Sequence, residues 1–420
     1  MNLNPAHVLM VENYAPAQRS LRIALVTETF PPEVNGVALT AERLLRGLQA
    51  RHHELQLVRP RQDRLELPPP EEGLEQVLTR GLPIPRYPHL RMGLPAKKSL
   101  LSMWTVRRPD LVHIATEGPL GWSALQAARK LKLPVSSDFR TNFHAYSRHY
   151  GFAWFQKPIA AYLRRFHNQA DCTMVPTTEL QAQLLGMGFE RLKVVARGVD
   201  ARRFDPARRD PALRAEWGVG PDDRVVLSVG RLAAEKNLDL LARAFQAMQA
   251  LDPSLRLVVV GDGPAREQLQ QRCPQALLVG PRRGDDLARH YASADVFLFP
   301  SLTETYGNVT PEAMASGLAV LAFDYAAAAE LIHHGHNGVL APLADEEAFV
   351  RRACDLVSNP ALAAQMRQAA RQTALAQDWE HIIDEVEAVW DQLLAWHARR
   401  LSGASMAPAA FDPSGGCSSA

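Results

Sequence analysis

The chain has 420 residues, 47% hydrophobic and 22% charged, which at about 150 residues per domain calls for two or three domains in a folded chain. Its 47 basic and 45 acidic residues leave a formal charge of +2, without the positive field of a protein that coats nucleic acid. The balance hides an asymmetry, since residues 1–200 carry 26 basic and 17 acidic residues and residues 201–420 carry 21 and 28. A basic half suits an anionic acceptor or the anionic face of a membrane, and solubility alone explains it equally well.

Residues 1–20 have no basic region followed by an apolar run, so they read as a peripheral extension and not as a secretory signal. Short β-branched runs then fall at 22–27, 54–59, 111–115, 134–137, 172–175 and 192–195. Amphipathic helical patterns at 39–50 and 121–132 lie between them. Residues 201–222, polar and rich in Arg, Asp and Pro, read as a linker. A second series follows at 224–229, 255–260, 276–279, 295–299, 319–322 and 338–340, with helical patterns at 238–250 and 286–293. Strand and helix in alternation imply an α/β chain of two Rossmann-like, doubly wound parallel-sheet domains, at 21–200 and 223–376. Residues 377–401 form one helix whose stripe of Trp379, Ile382, Ile383, Val386, Val389, Trp390, Leu393 and Leu394 needs a partner surface. Residues 402–420 read as a disordered tail. No apolar stretch reaches the ~18–20 residues of a membrane span. The dispersed Cys172, Cys273, Cys354 and Cys417 exclude zinc ribbons and disulfide scaffolds and fit a reducing cytoplasm.

In doubly wound sheets ligands bind beyond the carboxyl ends of strands, and five such loops are unusual. At 27–37, Asn35-Gly36 precedes a helix; in isolation this reads first as a plain strand-to-helix turn, and second as a site for a phosphate or sugar oxygen. At 136–151, polar and aromatic residues alternate, and Arg140, Asn142, His144 and Tyr146 form a surface for a carbohydrate or head group. At 230–237, Gly230 and Arg231 lead to Lys236, the single lysine among the 21 basic residues of the second half. A compact ammonium kept there suits a phosphate, and Arg231 with Lys236 can neutralise a diphosphate leaving group. Gly261 and Gly263 tempt a dinucleotide reading, but Arg266 holds the third glycine position, so nicotinamide and flavin chemistry recede.

The strongest signal is 296–317. Glu304 and Glu312 would point roughly 80° apart on one helix, but Gly307-Asn308 breaks that continuity. Glu304 then lies on the loop and Glu312 in the first turn of a helix opened by Thr310-Pro311. Backbone N–H groups of Gly307, Asn308 and Val309 would face a bound anion between two carboxylates, which matches a sugar nucleotide. The histidines at 333, 334 and 336 have no spacing of a structural metal site, and no Asp-x-Asp is present, so neither a metal nor another cofactor is expected.

Taken together, the segments 198–204, 229–237, 261–264 and 304–317 resemble the retaining, nucleotide-sugar-dependent glycosyltransferases of group 1 and family 4, over about residues 22–399. The resemblance implies a GT-B fold, two domains facing a central cleft, with the last helix crossing back onto the first. It implies that Arg231 and Lys236 hold the donor diphosphate, Glu304 contacts the transferred sugar and Glu312 the ribose. Gly230, Arg282, Thr305 and the backbone of Gly307, Asn308 and Val309 complete the donor site, and Asn35 and Gly36 close over it. The stretches at 27–40 and 141–151 look most like bacterial α-mannosyltransferases and sulfoquinovosyl- or glucosyl-diacylglycerol synthases. Where those relatives often have Phe-His-Thr, this chain has Phe139-Arg140-Thr141. Either Arg140 acts as an electrostatic clamp or His144 takes part of that task.

The expected partners are a nucleotide-sugar donor, GDP-mannose before UDP-glucose or UDP-sulfoquinovose, and a lipid or glycan acceptor, in the cytoplasm or at the inner face of its membrane. A sugar-nucleotide epimerase on the same fold and a non-catalytic carbohydrate-binding protein are the alternatives; nothing in the sequence speaks to the oligomeric state.

Overall fold

The computed structural model describes residues 20–33, 35–63, 65–68, 70–84, 87–140 and 156–401. Among them, β1 (Arg22–Val26), β2 (Glu54–Pro60), β3 (Leu74–Thr79), β4 (Gly81–Ile84), β5 (Tyr87–Gly93), β6 (Leu111–Ile114), β7 (Val135–Asp138), β8 (Cys172–Val175) and β9 (Leu192–Val194) precede residue 200. Seven of these form a parallel sheet in the order β3-β2-β1-β6-β7-β8-β9, and β4 and β5 pair as an antiparallel hairpin. Beyond residue 220, β10 (Val225–Val229), β11 (Arg256–Val260), β12 (Leu277–Gly280), β13 (Val296–Phe299), β14 (Ala319–Phe323) and β15 (Val339–Ala341) form a second parallel sheet, β12-β11-β10-β13-β14-β15.

Each of the twelve β-branched runs becomes a strand; in the interior strands apolar side chains on both faces are buried between helical layers, while the edges β9 and β12 are only half-buried. β3 and the β4–β5 hairpin escape that pattern. β3 is half-buried with Glu75 and Gln76 inside it, and the hairpin carries Pro83 and Pro88.

Strand order reverses between β1 and β6 in the first sheet and between β10 and β13 in the second. Ligands in open α/β sheets settle at such switch points. The loops after β1, β10 and β13 are therefore the ones the architecture aims at a shared cleft.

Two further features couple the halves. Residues 201–222 are folded onto the second sheet, and Phe204, Leu213, Trp217 and Val219 sit in its core. The helix Trp379–Leu401 returns to the first sheet, where Ile382, Ile383, Val386, Val389, Trp390 and Leu393 are buried with Ile23, Leu25 and Leu45. Gly47 permits that contact, since a Cβ there would stand 1.8 Å from Ile383 Cδ1. Arg51 bonds Glu387 and lies 2.6 Å from Asp384, which ties the start of the returning helix to the first domain.

Candidate functional site in the interdomain cleft

The loop after β10 leaves the sheet at Gly230, passes through a short 3-10 turn at Ala234–Lys236 and enters the helix Leu238–Leu251 at Asn237, whose φ of 50° is left-handed. It is held by the loop after β11. Leu232 N–H donates to Asp262 O at 2.9 Å and Ala265 N–H to Leu232 O at 2.9 Å. Here the glycines of 261–263 acquire a role without any dinucleotide. A Cβ on Gly261 would lie 1.9 Å from Gly230 O, and one on Gly263 2.3 Å from Leu232 O, so two backbones touch where side chains cannot fit.

That loop projects Lys236 onto Glu304 from the loop after β13. Their ammonium and carboxylate are ion-paired, and Ser301 Oγ donates to the same Glu304 Oε1 at 2.8 Å. The ammonium also lies 5.5 Å from the centre of the Phe299 ring. Arg231 is different: its side chain is 59% exposed, and Glu235, 4.0 Å away, is its ion-pair partner. Tyr325 OH donates to Glu304 O at 3.0 Å and fixes the loop backbone.

The helix after this loop runs Val309–Ala315, so it opens earlier than Thr310-Pro311. Gly307 has a φ of 90°, a turn that favours glycine. Among the described residues, the N–H groups of Gly307, Asn308 and Val309 have no acceptor and the buried Asn308 Oδ1 has no donor. Glu312 accepts a 3.0 Å bond from Tyr291 OH, and burial lifts its carboxyl to about 7 against that bond. From the first domain, Asn35 caps the helix Gly36–Ala50 through a 2.8 Å bond from Ala38 N–H and donates to Thr29 Oγ1 at 2.6 Å. A Cβ on Gly36 would lie 3.9 Å from Asn308 Nδ2, so the two domains approach at this point.

The structure thus brings Asn35, Gly36, Gly230, Arg231, Lys236, Glu304, Thr305, Gly307, Asn308, Val309 and Glu312 to the loops at the two switch points. Arg282 stands apart at the end of β12, bonded to Val279 O at 2.8 Å and 3.6 Å from Asp286. Arg140 follows β7. Its Nε donates to Asp138 Oδ2 at 2.9 Å and Nη2 bonds the same oxygen, while the buried Nη1 has no partner among the described residues. Thr305 Oγ1 donates across the cleft to Arg140 O at 3.5 Å. Asn142, His144 and Tyr146 lie outside the described residues.

Three charged residues at the seam escaped sequence reasoning. Arg197 follows β9. Its guanidinium lies 5.7 Å from the centre of the Tyr306 ring and its carbonyl accepts from Tyr306 OH at 3.1 Å. Burial and then the neighbouring Arg140 lower the Arg197 guanidinium to about 10. Glu28 follows β1 and accepts from Leu120 N–H at 2.8 Å and Gly93 N–H at 3.1 Å. Glu117 follows β6, and burial lifts its carboxyl to about 7, with Arg140 pulling the other way. Position alone could have found them, since each stands just past the carboxyl end of a strand.

No group of three or more metal-ligating side chains occurs among the described residues, and no helix among them is long and apolar enough to cross a membrane.

Comparison with known proteins gives a consistent picture. Residues 34–203 match the family described as Glycosyltransferase Family 4, and residues 223–359 match Glycosyl transferases group 1. A GDP-mannose-dependent alpha-mannosyltransferase of Mycobacterium tuberculosis is 35% identical over 87% of this chain and 95% of its own. One from Mycolicibacterium smegmatis is 33% identical over 90% and 100%. The sulfoquinovosyl transferase SQD2 of Arabidopsis thaliana is 29% identical over 90% and 75%. Among solved structures, sucrose-phosphate synthase from Thermosynechococcus elongatus superposes with a TM-score of 0.71 at 19% identity, over 90% of this chain and 100% of that one. Anabaena HepE with UDP and glucose gives 0.69 at 18%, over 88% and 99%.

Proposed function

We propose, since this chain belongs to the group 1 and family 4 glycosyltransferases and has the GT-B fold, that it transfers a mannosyl unit from GDP-mannose to a lipid or glycan acceptor, with retention and without a metal. The observation that carries the reading is the Lys236–Glu304 pair between the loops after β10 and β13, beside N–H groups of residues 307–309 that donate to no described residue, where a Cβ on Gly36 would stand 3.9 Å from Asn308 Nδ2.

In this reading a donor diphosphate enters between the two domains. Lys236 exchanges part of its bond to Glu304 for phosphate oxygens, and Arg231 adds a planar guanidinium able to make two bonds at once. The N–H groups of Gly307, Asn308 and Val309 serve oxygens on the same side. Glu304, relieved of its lysine, accepts hydroxyl hydrogens of the transferred sugar, and Glu312 accepts those of the ribose. Charge on the departing diphosphate is met by cations already in place, so leaving-group departure is assisted without a protein nucleophile. Arg140, whose buried Nη1 has no partner among the described residues, stands where relatives often hold a histidine and adds a fixed positive charge.

Mannose and GDP are favoured because the two mannosyltransferase relatives are 33–35% identical, against 29% for the sulfoquinovosyl transferase. That relative supports a second reading, a UDP-sugar-dependent glycolipid synthase. The surplus of basic over acidic residues in 1–200 suits a lipid acceptor at an anionic surface. Calorimetric titration with GDP, UDP and their sugars, followed by NMR of the product's anomeric proton with and without chelator, tests each part. Binding of UDP and not GDP overturns the donor, an inverted product overturns retention, and loss of transfer in chelator overturns metal independence.

A further inference from the structure

Beneath Arg140 the first domain carries a buried polar chain that the transfer chemistry leaves unused. Ser136 and Asp138 are two residues apart on β7 and so face the same side, and sheet register pairs Ser136 with His113 on β6. His113 Nδ1 lies 2.9 Å from Ser136 Oγ, and its buried Nε2 lies 3.4 Å from Asp138 Oδ2, a charge contact too poorly aligned to be a hydrogen bond. From the other end, Trp390 of the returning helix donates its indole N–H to Ser136 Oγ at 2.9 Å, with its ring 5.4 Å from that of His113. Ser136, His113 and Trp390 are all fully buried.

Donor and acceptor chemistry gives the chain a direction. An indole N–H can only donate, so Ser136 Oγ accepts from Trp390 and has its own proton to place. When that proton goes to the Nδ1 of His113, the imidazole proton sits on Nε2, facing Asp138; the opposite tautomer would have Nδ1 donate to the second lone pair of Ser136 Oγ. Asp138 Oδ2 in turn receives Nε and Nη2 of Arg140. Two bonds to one oxygen hold the guanidinium plane and leave the buried Nη1 for the seam. The Asp138 carboxyl, despite burial, is held well below the usual carboxylate range by Arg140 and then His113, so it stays an acceptor.

We propose that His113, Ser136 and Trp390 are positioning residues for Arg140, so that the helix crossing back from the second domain sets the orientation of a transfer-site cation. This rests on the reading of Arg140 as an electrostatic clamp at the site of transfer.

The test begins without substrate. In nitrogen NMR spectra of the full-length, histidine-labelled protein, the His113 ring should carry its proton on Nε2. Trp390→Phe, which keeps an aromatic ring and removes the N–H, should shift both ring nitrogens. A proton on Nδ1, or spectra unchanged by Trp390→Phe, overturns the chain. Kinetics then read its consequence: Trp390→Phe should lower kcat about fivefold, the worth of one neutral hydrogen bond, with donor KM little changed. His113→Gln, whose amide reaches the Nε2 position, should retain more kcat than His113→Asn, whose amide stops near Nδ1. Equal kcat in the two, with both merely melting lower, marks a structural role only and overturns the proposal. In an Arg140→Ala background Trp390→Phe should cost nothing further, and additive losses there also overturn it. A wild type that shows the NMR signature yet transfers from no nucleotide sugar would defeat the functional reading and leave the chain standing.

Discussion

Lys236 and Glu304, 68 residues apart, are ion-paired between the loops after β10 and β13, with Ser301 Oγ on the same carboxylate oxygen. In the proposed reading each keeps the other in place until a substrate with both phosphate and hydroxyls arrives. Removing either should leave its partner mispaired and strip the leaving group of stabilisation. Lys236→Ala is expected to lower kcat/KM on the order of 10²- to 10³-fold, as for loss of one preorganised donor. Lys236→Arg should recover little, because a planar fork does not fit a point-charge site. Donor hydrolysis and transfer assays on both variants check this; near-wild-type rates in Lys236→Ala would remove the lysine from the site.

Glu312 yields a pH prediction. Its carboxyl, ordinarily near 4.5, titrates at about 7 in the folded chain. Between those values the folded state holds a proton that the unfolded chain has released. The stability from this group is therefore complete below about 4.5 and declines as pH rises through 7. Glu312→Gln should flatten that decline in denaturation series run from acid to mildly alkaline pH. If Glu312 accepts from the donor's ribose as proposed, binding favours its ionised form, so donor binding should release a proton and tighten as pH rises through 7 in wild type. The Gln variant should lose this slope. Tyr291→Phe removes the bond that opposes the lift, and should move the transition higher.

Legibility in the sequence followed the physics of burial. Most of the twelve strands and the apolar stripe of the last helix are readable because their side chains are buried and have one place to go, while the half-buried edges β9 and β12 still carry apolar runs. The loops carrying Lys236 and Glu304, and the helix turn carrying Glu312 that follows, are readable because charged residues and glycine between a strand and the next helix have few structural uses. β3, with Glu75 and Gln76 in a half-buried edge, was not, and the hairpin's prolines concealed it. Residues 201–222 read as a linker because Phe204, Leu213, Trp217 and Val219 are too widely spaced to show a period, although they fill the second core. Arg197 and the chain from Trp390 to Arg140 depend on contacts between residues up to 254 positions apart. No local pattern encodes such a contact.

The loop glycines give a stability prediction. Gly261 has a φ of 137°, and a Cβ there would meet Gly230 O at 1.9 Å, a backbone atom that cannot rotate away. Gly261→Ala must move the loop that carries Arg231 and Lys236. A cost of about 1–3 kcal/mol is expected from the strained backbone alone, together with weaker nucleotide binding. Gly230→Ala, with open space at its Cβ but a φ of 155°, should cost less. Urea denaturation and GDP titration of the pair check the order; equal stability would mean that the close approach does not hold the loop.

Arg140 allows the role of its charge to be separated from its shape. Arginine stays cationic across the physiological range, so wild-type activity should show no limb from this position. Arg140→His places there a group with an unperturbed pKa of about 6.5, and Asp138, the carboxylate that now receives Nε and Nη2, favours its charged form. The cation is then present below that pKa and lost as pH rises through it. Transfer by Arg140→His should approach wild type in mild acid and fall on an added limb between about pH 6 and 8. Arg140→Gln, neutral throughout, should be slow at every pH. The ratio of kcat/KM between variant and wild type across that range is the measurement. A flat ratio for Arg140→His would show that the charge is not used in transfer and would hand the task to another group at the seam.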